Sequence, residues 1–269
     1  LFPYTTLFRS GVGPAFATRI YRRYGNDAID RVRSNPYRLA VDIDGIGFLT
    51  ADRIAARLGI SGTAPERIAA GVVHVLQEAS GEGHVFLPVS LLTESAARLL
   101  DVDAGPVERA IDELAAECRV VLEPLPDDEQ AVYLKALHLA ESQAAEGLAR
   151  LLSAPTSLRA FDADKALAWA QDQLELELTG KQAEAVRAAV TSKLVVVTGG
   201  PGTGKSTIVR SVLAILRVLR ARVALAAPTG RAAKRLSELT GHEAKTVHRL
   251  LEFSPREGGF QRHEERPLK

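Results

Sequence analysis

The sequence predicts a multidomain chain that is helical in its N-terminal part and α/β in its last third. Its 269 residues are long for one domain and suit two. A glycine-containing motif occurs twice near the N terminus, and a strand-like apolar run meets a glycine-rich turn near residue 200. Apolar residues make up 46% and charged residues 25% of the chain, which excludes a disordered chain and a fibrous rod.

Cysteine content and hydropathy predict the compartment. No apolar run approaches the roughly 20 residues that cross a bilayer, so we expect no membrane partner. The single cysteine, Cys118, can form neither an internal disulfide nor a cysteine-based zinc site, and its apolar neighbours favour a small buried side chain over a reactive thiol. With no secretory signal, these features predict a cytoplasmic protein.

The N-terminal residues 1–9 fit none of the patterns that follow them. They resemble translated sequencing-adapter read-through, so we interpret them as a non-native leader and exclude them from the fold prediction. The chain also contains no methionine. We therefore expect a fragment of a longer protein.

Charge is distributed unevenly along the chain. Residues 61–180 carry 8 Lys and Arg against 21 Asp and Glu, whereas residues 181–269 carry 17 against 7. The basic end could meet a polyanion. Arginine-rich helices that are merely well solvated would give the same pattern, and charge alone does not separate the two interpretations.

A pair of glycines around one apolar residue occurs at Gly11-Val12-Gly13 and again at Gly45-Ile46-Gly47. Each copy precedes a helical pattern with alanine, arginine and isoleucine at matching offsets. This arrangement over residues 10–60 resembles a tandem helix-hairpin-helix unit, in which backbone amides of the hairpin hold DNA phosphates. The resemblance implies DNA contacts at Gly11, Gly13, Gly45 and Gly47, with Arg19 and Arg53 as neighbours. Glycines that serve only helix packing are the alternative.

Residues 61–135 predict an acidic helical region with a small hairpin. Ile68, Val72 and Val75 lie on one face of the first helix, and residues 119–122 could pair with residues 131–134 to give a winged-helix-like unit. Residues 136–177 predict a helical connector. Nothing in this part indicates catalytic chemistry.

The clearest motif begins at the apolar run 194–198, which predicts a buried strand. It continues as G-x-x-x-x-G-K-[ST] and then as an amphipathic helix, the context in which this motif binds nucleotide. Lys205 would reach the β- and γ-phosphates, and the Ser206 hydroxyl would complete the Mg²⁺ shell. The predicted nucleotide-binding residues of the loop are Gly199, Gly200, Pro201, Gly202, Thr203, Gly204, Lys205, Ser206 and Thr207.

The flanks of this loop add further candidates. Gln182 lies upstream in a Leu-Thr-x-x-Gln segment, and a glutamine amide can pair both polar edges of adenine. Downstream, residues 223–226 predict a second strand, followed by Ala227-Pro228-Thr229-Gly230-Arg231 and Thr246-Val247-His248-Arg249. Taken alone, these last two segments would be an ordinary strand-to-helix turn and a packed histidine.

In combination, these motifs resemble the RecD-like DNA helicases of superfamily 1, in the stand-alone type with N-terminal helix-hairpin-helix repeats. The resemblance implies an all-α helix-hairpin-helix and winged-helix-like N-terminal region followed by an incomplete α/β RecA-like P-loop domain over residues 178–269. It implies ATP and Mg²⁺ as cofactors, with Lys205 and Ser206 in catalytic roles and Gln182 on adenine. It also implies a partner that is single-stranded DNA or a duplex with a single-stranded tail, and 5′-to-3′ movement. The DNA-binding residues that it implies are Pro228, Thr229, Arg231, Thr246 and His248.

The resemblance also has a limit. The family continues with a strand ending in Asp-Glu and with a second RecA-like domain that supplies arginine to the γ-phosphate, and the present sequence contains neither. We therefore expect nucleotide and DNA binding with little hydrolysis. The alternative is a DNA-binding helix-hairpin-helix module attached to a different P-loop ATPase.

Overall fold

A computed structural model describes residues 14–126, 128–155, 160–263 and 265–268. The chain divides into two compact units at residues 146 and 147. The leader 1–9 and the first glycine pair, Gly11 and Gly13, lie outside the described residues. Within the described ranges, no helix is long and apolar enough to cross a membrane.

The first unit begins with the helices of the glycine repeat. They are α1 (Pro14–Tyr24), α2 (Ala28–Ser34), α3 (Arg38–Asp42) and α4 (Phe48–Arg57), with a 3-10 turn at Gly25–Asp27. Ala17 and Ile20 of α1 are buried, as are Ala51 and Ile54 of α4. The matching residues of the two copies thus form the apolar side of each helix.

The acidic region adds three helices and a three-stranded antiparallel sheet. The elements are α5 (Pro65–Gly81), β1 (Phe86–Pro88), α6 (Val89–Leu100), α7 (Ala104–Ala116), β2 (Val120–Pro124) and β3 (Gln130–Leu134), with strand order β1-β3-β2. The β2–β3 pairing confirms the predicted hairpin. Close packing of α5 on α6 depends on Gly71, because a Cβ there would lie 2.7 Å from the side chain of Leu100.

Cys118 is not the buried side chain that its neighbours suggested. It is exposed and has a φ of 55°. It lies in the turn just after α7, where the backbone N–H of Cys118 donates to the carbonyl of Ala115. Left-handed backbone at the end of a helix turns the chain outward, so the apolar sequence context did not determine burial.

The second unit contains most of the remaining elements. They are α8 (Lys135–Ser153, which begins in the first unit), α9 (Ala163–Gln173), α10 (Gly180–Thr191), α11 (Lys205–Val218), β4 (Leu225–Ala227), α12 (Gly230–Thr240), β5 (Ala244–Thr246), α13 (Val247–Leu250), β6 (Phe253–Ser254) and β7 (Gly259–Phe260). Strands β4 and β5 are parallel, and β6 and β7 are antiparallel. Leu167 of α9, Val186 of α10 and Ile215 of α11 meet in one apolar cluster.

The predicted strand at residues 194–198 is absent. These residues have no strand assignment, and Val196 is 80% exposed. An apolar run becomes a buried strand only where neighbouring strands pair with it, and no described segment pairs with this one. The apolar pattern shows that these residues could form a strand. The described residues contain no strand that pairs with them.

Candidate nucleotide and nucleic-acid sites

The glycine-rich loop has the backbone conformation that its glycines permit. Gly202 and Gly204 have φ angles of 75° and 82°, values that side chains disfavour. Gly204 is the N-cap of α11, whose first backbone N–H groups have no partners within the helix. The loop therefore ends at a helix N terminus that can hold an anion.

The side chain of Lys205 lies across this loop. Its Nζ donates to the carbonyl oxygen of Gly199 and, at 2.6 Å, to that of Gly200. Thr203 Oγ1 donates to the same Gly200 carbonyl at 3.0 Å. Lys205 and Ser206 are both exposed. The Lys205 ammonium thus lies at the loop, bound to carbonyl oxygens. Phosphate oxygens of a ligand could replace these carbonyl oxygens.

The residues present fit a nucleoside triphosphate with Mg²⁺. Cβ atoms at Gly200 or Gly202 would have no atom within 4 Å, so this part of the loop is open. The loop supplies backbone N–H donors and an ammonium for phosphate oxygens, and the Ser206 hydroxyl is a hard oxygen ligand of the kind that Mg²⁺ prefers. Pro201 and Thr207 complete the motif at exposed and partly buried positions.

The side chain of Gln182 forms hydrogen bonds both at the start of its own helix and to the glycine-rich loop. It forms a capping box with Thr179, in which the Thr179 N–H donates to Gln182 Oε1 at 3.0 Å. Gln182 Nε2 donates to the carbonyl oxygen of Thr203 at 3.1 Å. The structure thus brings Gln182 to the glycine-rich loop.

Three of the predicted DNA-binding residues, Pro228, Thr229 and Thr246, lie at the ends of two neighbouring strands. Ala227 of β4 pairs with Thr246 of β5 in parallel register, which places Pro228 and Thr229 at the same edge as Thr246. Both threonines are helix N-caps. Thr229 Oγ1 accepts from the N–H of Ala232 at 3.2 Å, and Thr246 Oγ1 accepts from the N–H of Arg249 at 3.2 Å.

His248 belongs to a small aromatic cluster. Its ring centroid lies 5.2 Å from that of Phe253 and 5.6 Å from that of Phe260. The two phenylalanines are 44% and 45% exposed, although large apolar side chains usually find cover. The sequence analysis did not name these two phenylalanines as candidates. Two aromatic residues within a basic segment could have suggested a surface for nucleic acid. Arg231, on α12, is exposed to solvent.

The second glycine pair of the N-terminal repeat has two different environments. Gly45 has a φ of 82°, and a Cβ there would lie 2.7 Å from Arg19 Nη1. Arg19 donates to the carbonyl of Asp44 at 3.0 Å, so the arginine of the first copy supports the turn of the second. Gly47 has a φ of −88° and open space at its Cβ position. Arg53 donates to its own helix, at Leu49 and Thr50.

The fold and the loop geometry define a P-loop protein that carries a helix-hairpin-helix region ahead of its P-loop. Two family models match the chain. Residues 4–86 match the helix-hairpin-helix domain of the ATP-dependent RecD2 DNA helicase, and residues 182–269 match an AAA domain. Through its N-terminal match, the chain is similar to RecD-like helicases.

Individual relatives agree with this assignment. The chain is 35% identical to the ATP-dependent RecD2 DNA helicase of Deinococcus radiodurans over 266 residues, 93% of this chain and 36% of that protein. It is 34% identical to the RecBCD enzyme subunit RecD of Mycobacterium tuberculosis over 233 residues, 75% of this chain and 38% of that subunit. The chain therefore spans little more than a third of the length of these relatives. The fold class predicted from the sequence is confirmed by these matches.

Proposed function

We propose that this chain provides the first nucleotide-binding part of an ATP-dependent DNA helicase that moves 5′-to-3′ on single-stranded DNA. The observation that carries the proposal is the Gly199–Thr207 loop, which is open at Gly200 and Gly202 and leads into the N terminus of α11. The similarity to RecD2 over 93% of the chain supports the same reaction class. It also favours the helicase over an unrelated P-loop ATPase.

In this proposal, Lys205 exchanges its carbonyl contacts for the β- and γ-phosphate oxygens of ATP. Backbone N–H groups of Gly202 and Gly204 would bind the same phosphates, and the Ser206 hydroxyl would hold Mg²⁺. When bound, Mg²⁺ neutralises charge that develops on the phosphate oxygens. We assign this nucleotide binding to the RecA-like domain predicted for residues 178–269.

DNA would follow the edge formed by β4 and β5. Pro228, Thr229 and Thr246 line this edge, and Arg231 supplies charge for phosphates. The exposed rings of Phe253 and Phe260 beside His248 offer surfaces on which bases stack. We assign single-stranded DNA, or a duplex with a single-stranded tail, as the partner, and the cytoplasm as the location.

The chain of 269 residues should bind nucleotide without appreciable turnover. Residues 181–269 contain no aspartate, and so none of the Asp-Glu pair with which the family positions Mg²⁺ and water. We expect ATP binding in calorimetry and no hydrolysis above background, with or without a dT oligonucleotide. DNA-stimulated turnover that depends on Lys205 would contradict this account.

Lys205→Ala tests the P-loop directly. Loss of charge-assisted hydrogen bonds worth about 1.5–3 kcal/mol should weaken ATP binding by about 10- to 100-fold. Lys165→Ala is the matched control, because Lys165 is a lysine of the same unit with an 87% exposed side chain. Equal affinities of the two variants would contradict a phosphate-binding role for Lys205.

A further inference from the structure

Within the protein, the side-chain amide of Gln182 forms only half of the hydrogen bonds that it can form. A glutamine amide offers two N–H donors and two acceptor lone pairs. One donor goes to the Thr203 carbonyl and one lone pair accepts from the Thr179 N–H. One donor and one lone pair remain, which is the pair of groups that an adenine edge requires. Holding the loop and reading a base are therefore compatible.

The contact with Thr203 determines how the next amide points. In a trans peptide, the C=O of one residue and the N–H of the next point in opposite directions within one plane. A hydrogen bond that holds the Thr203 carbonyl toward Gln182 directs the Gly204 N–H away from it. Gly204 is the N-cap of α11, directly before Lys205.

Packing at this point is tight. A Cβ atom at Gly204 would overlap Gln182 Nε2, so the amide lies directly against the loop backbone. The reciprocal capping hydrogen bond, from the Gln182 N–H to Thr179 Oγ1 at 3.4 Å, fixes the start of α10. The helix N terminus and the loop are thus joined by one side chain.

We propose that Gln182 is a positioning residue for the phosphate loop, in addition to any contact with the base. It holds the Thr203–Gly204 peptide in the orientation that presents the Gly204 N–H to phosphate. Binding of a triphosphate without any base should then depend on Gln182. This inference rests on the proposed nucleotide-binding function.

The experiment compares magnesium tripolyphosphate, ATP and GTP by calorimetry on the full chain. Gln182→Met preserves the length of the side chain and removes both the donor to Thr203 and the acceptor of the Thr179 N–H. Thr179→Val removes the threonine hydroxyl from the capping box but leaves the amide of Gln182 in place. Far-UV circular dichroism and urea unfolding verify that both variants are folded.

We expect Gln182→Met to weaken tripolyphosphate binding by about three- to tenfold, the equivalent of one hydrogen bond. ATP binding should weaken further, GTP binding should follow tripolyphosphate, and Thr179→Val should bind tripolyphosphate as the unaltered chain does. Unchanged tripolyphosphate binding by Gln182→Met, with ATP binding weakened, would leave Gln182 as an adenine contact only and overturn the inference. Absence of binding of all three ligands to the unaltered chain would instead overturn the proposed function.

Discussion

Arg67 joins three segments of the N-terminal unit. Its guanidinium donates to both carboxylate oxygens of Asp52, at 2.8 and 3.1 Å, and to the carbonyls of Gly62 and Leu100 at 2.7 and 2.8 Å. The Tyr37 hydroxyl donates to Asp52 at 2.7 Å. The side chains of Arg67 and Asp52 are 16% and 25% exposed. One arginine thus links the second repeat helix, α4, to the acidic helices.

Arg67→Met should lower the free energy of unfolding of the first unit by about 1–3 kcal/mol. The change leaves a mostly buried carboxylate and two carbonyls without their donor, which costs more than the loss of an exposed pair. Urea unfolding measures the difference. Arg98→Met is the control, because the Arg98–Glu94 pair is 72% and 67% exposed and should be worth less than about 1 kcal/mol. Similar losses in both variants would contradict this role for Arg67.

The same carboxylate should make stability depend on acid pH. Burial by itself would raise the pKa of Asp52, but hydrogen bonds from Arg67 and Tyr37 outweigh it and hold the pKa below its ordinary value. Because the folded-state pKa is lower, this contribution is complete above the unfolded pKa of about 3.9. It is lost as the pH falls through the folded value. Urea unfolding from pH 6 to pH 2.5 should therefore show a smaller acid loss in Arg67→Met than in the unaltered chain.

At the level of elements, the two glycines of the Gly45–Gly47 turn should have different roles. Gly45 is needed for the fold, and Gly47 is a candidate contact to DNA phosphate. Gly45→Ala should destabilise the first unit by about 1–2 kcal/mol, because φ is positive and Arg19 occupies the space of the new Cβ. Gly47→Ala should leave the free energy of unfolding within about 0.5 kcal/mol.

DNA binding by the two variants distinguishes the functions of the turn. If the hairpin holds phosphates by close backbone approach, the methyl group of Gly47→Ala weakens duplex binding by about three- to tenfold although stability is unchanged. Fluorescence anisotropy with a labelled duplex at two salt concentrations measures this. Unaltered affinity would mean that the glycines serve packing only.

Sequence predicted these elements to the extent that their causes were local. The P-loop was evident because its glycines, Lys205 and the following helix are neighbours in the chain. The exposure of residues 194–198 was not predictable, because burial of a strand depends on partners distant in sequence. The contact between Gln182 and Thr203 spans 21 residues, and no spacing rule indicates it. Nor did the pattern show that Arg19 supports Gly45, since the contact joins two copies of a repeat.

For the whole molecule, the division into two units should make the proposed nucleotide binding a property of the second unit. The P-loop and its apolar cluster lie within residues 147–269, whereas the Arg67 network lies within the first unit. Basic charge is concentrated in the second unit, with 17 Lys and Arg against 7 Asp and Glu over residues 181–269. DNA affinity that arises there should decrease steeply with salt.

The single tryptophan offers a way to observe the second unit alone. Trp169 lies on α9 and is 39% exposed, so its fluorescence reports the P-loop unit, whereas far-UV circular dichroism reports both units. ATP with Mg²⁺ at ~100 times Kd should stabilise the fluorescence transition by about 2.7 kcal/mol. The remaining dichroism transition should not move, because a ligand stabilises only the cooperative unit that binds it. At the same ATP concentration, the 10- to 100-fold weaker binding of Lys205→Ala should reduce the shift to about 0.4–1.4 kcal/mol. Fluorescence and dichroism curves that coincide and shift together would mean that the two units unfold as one.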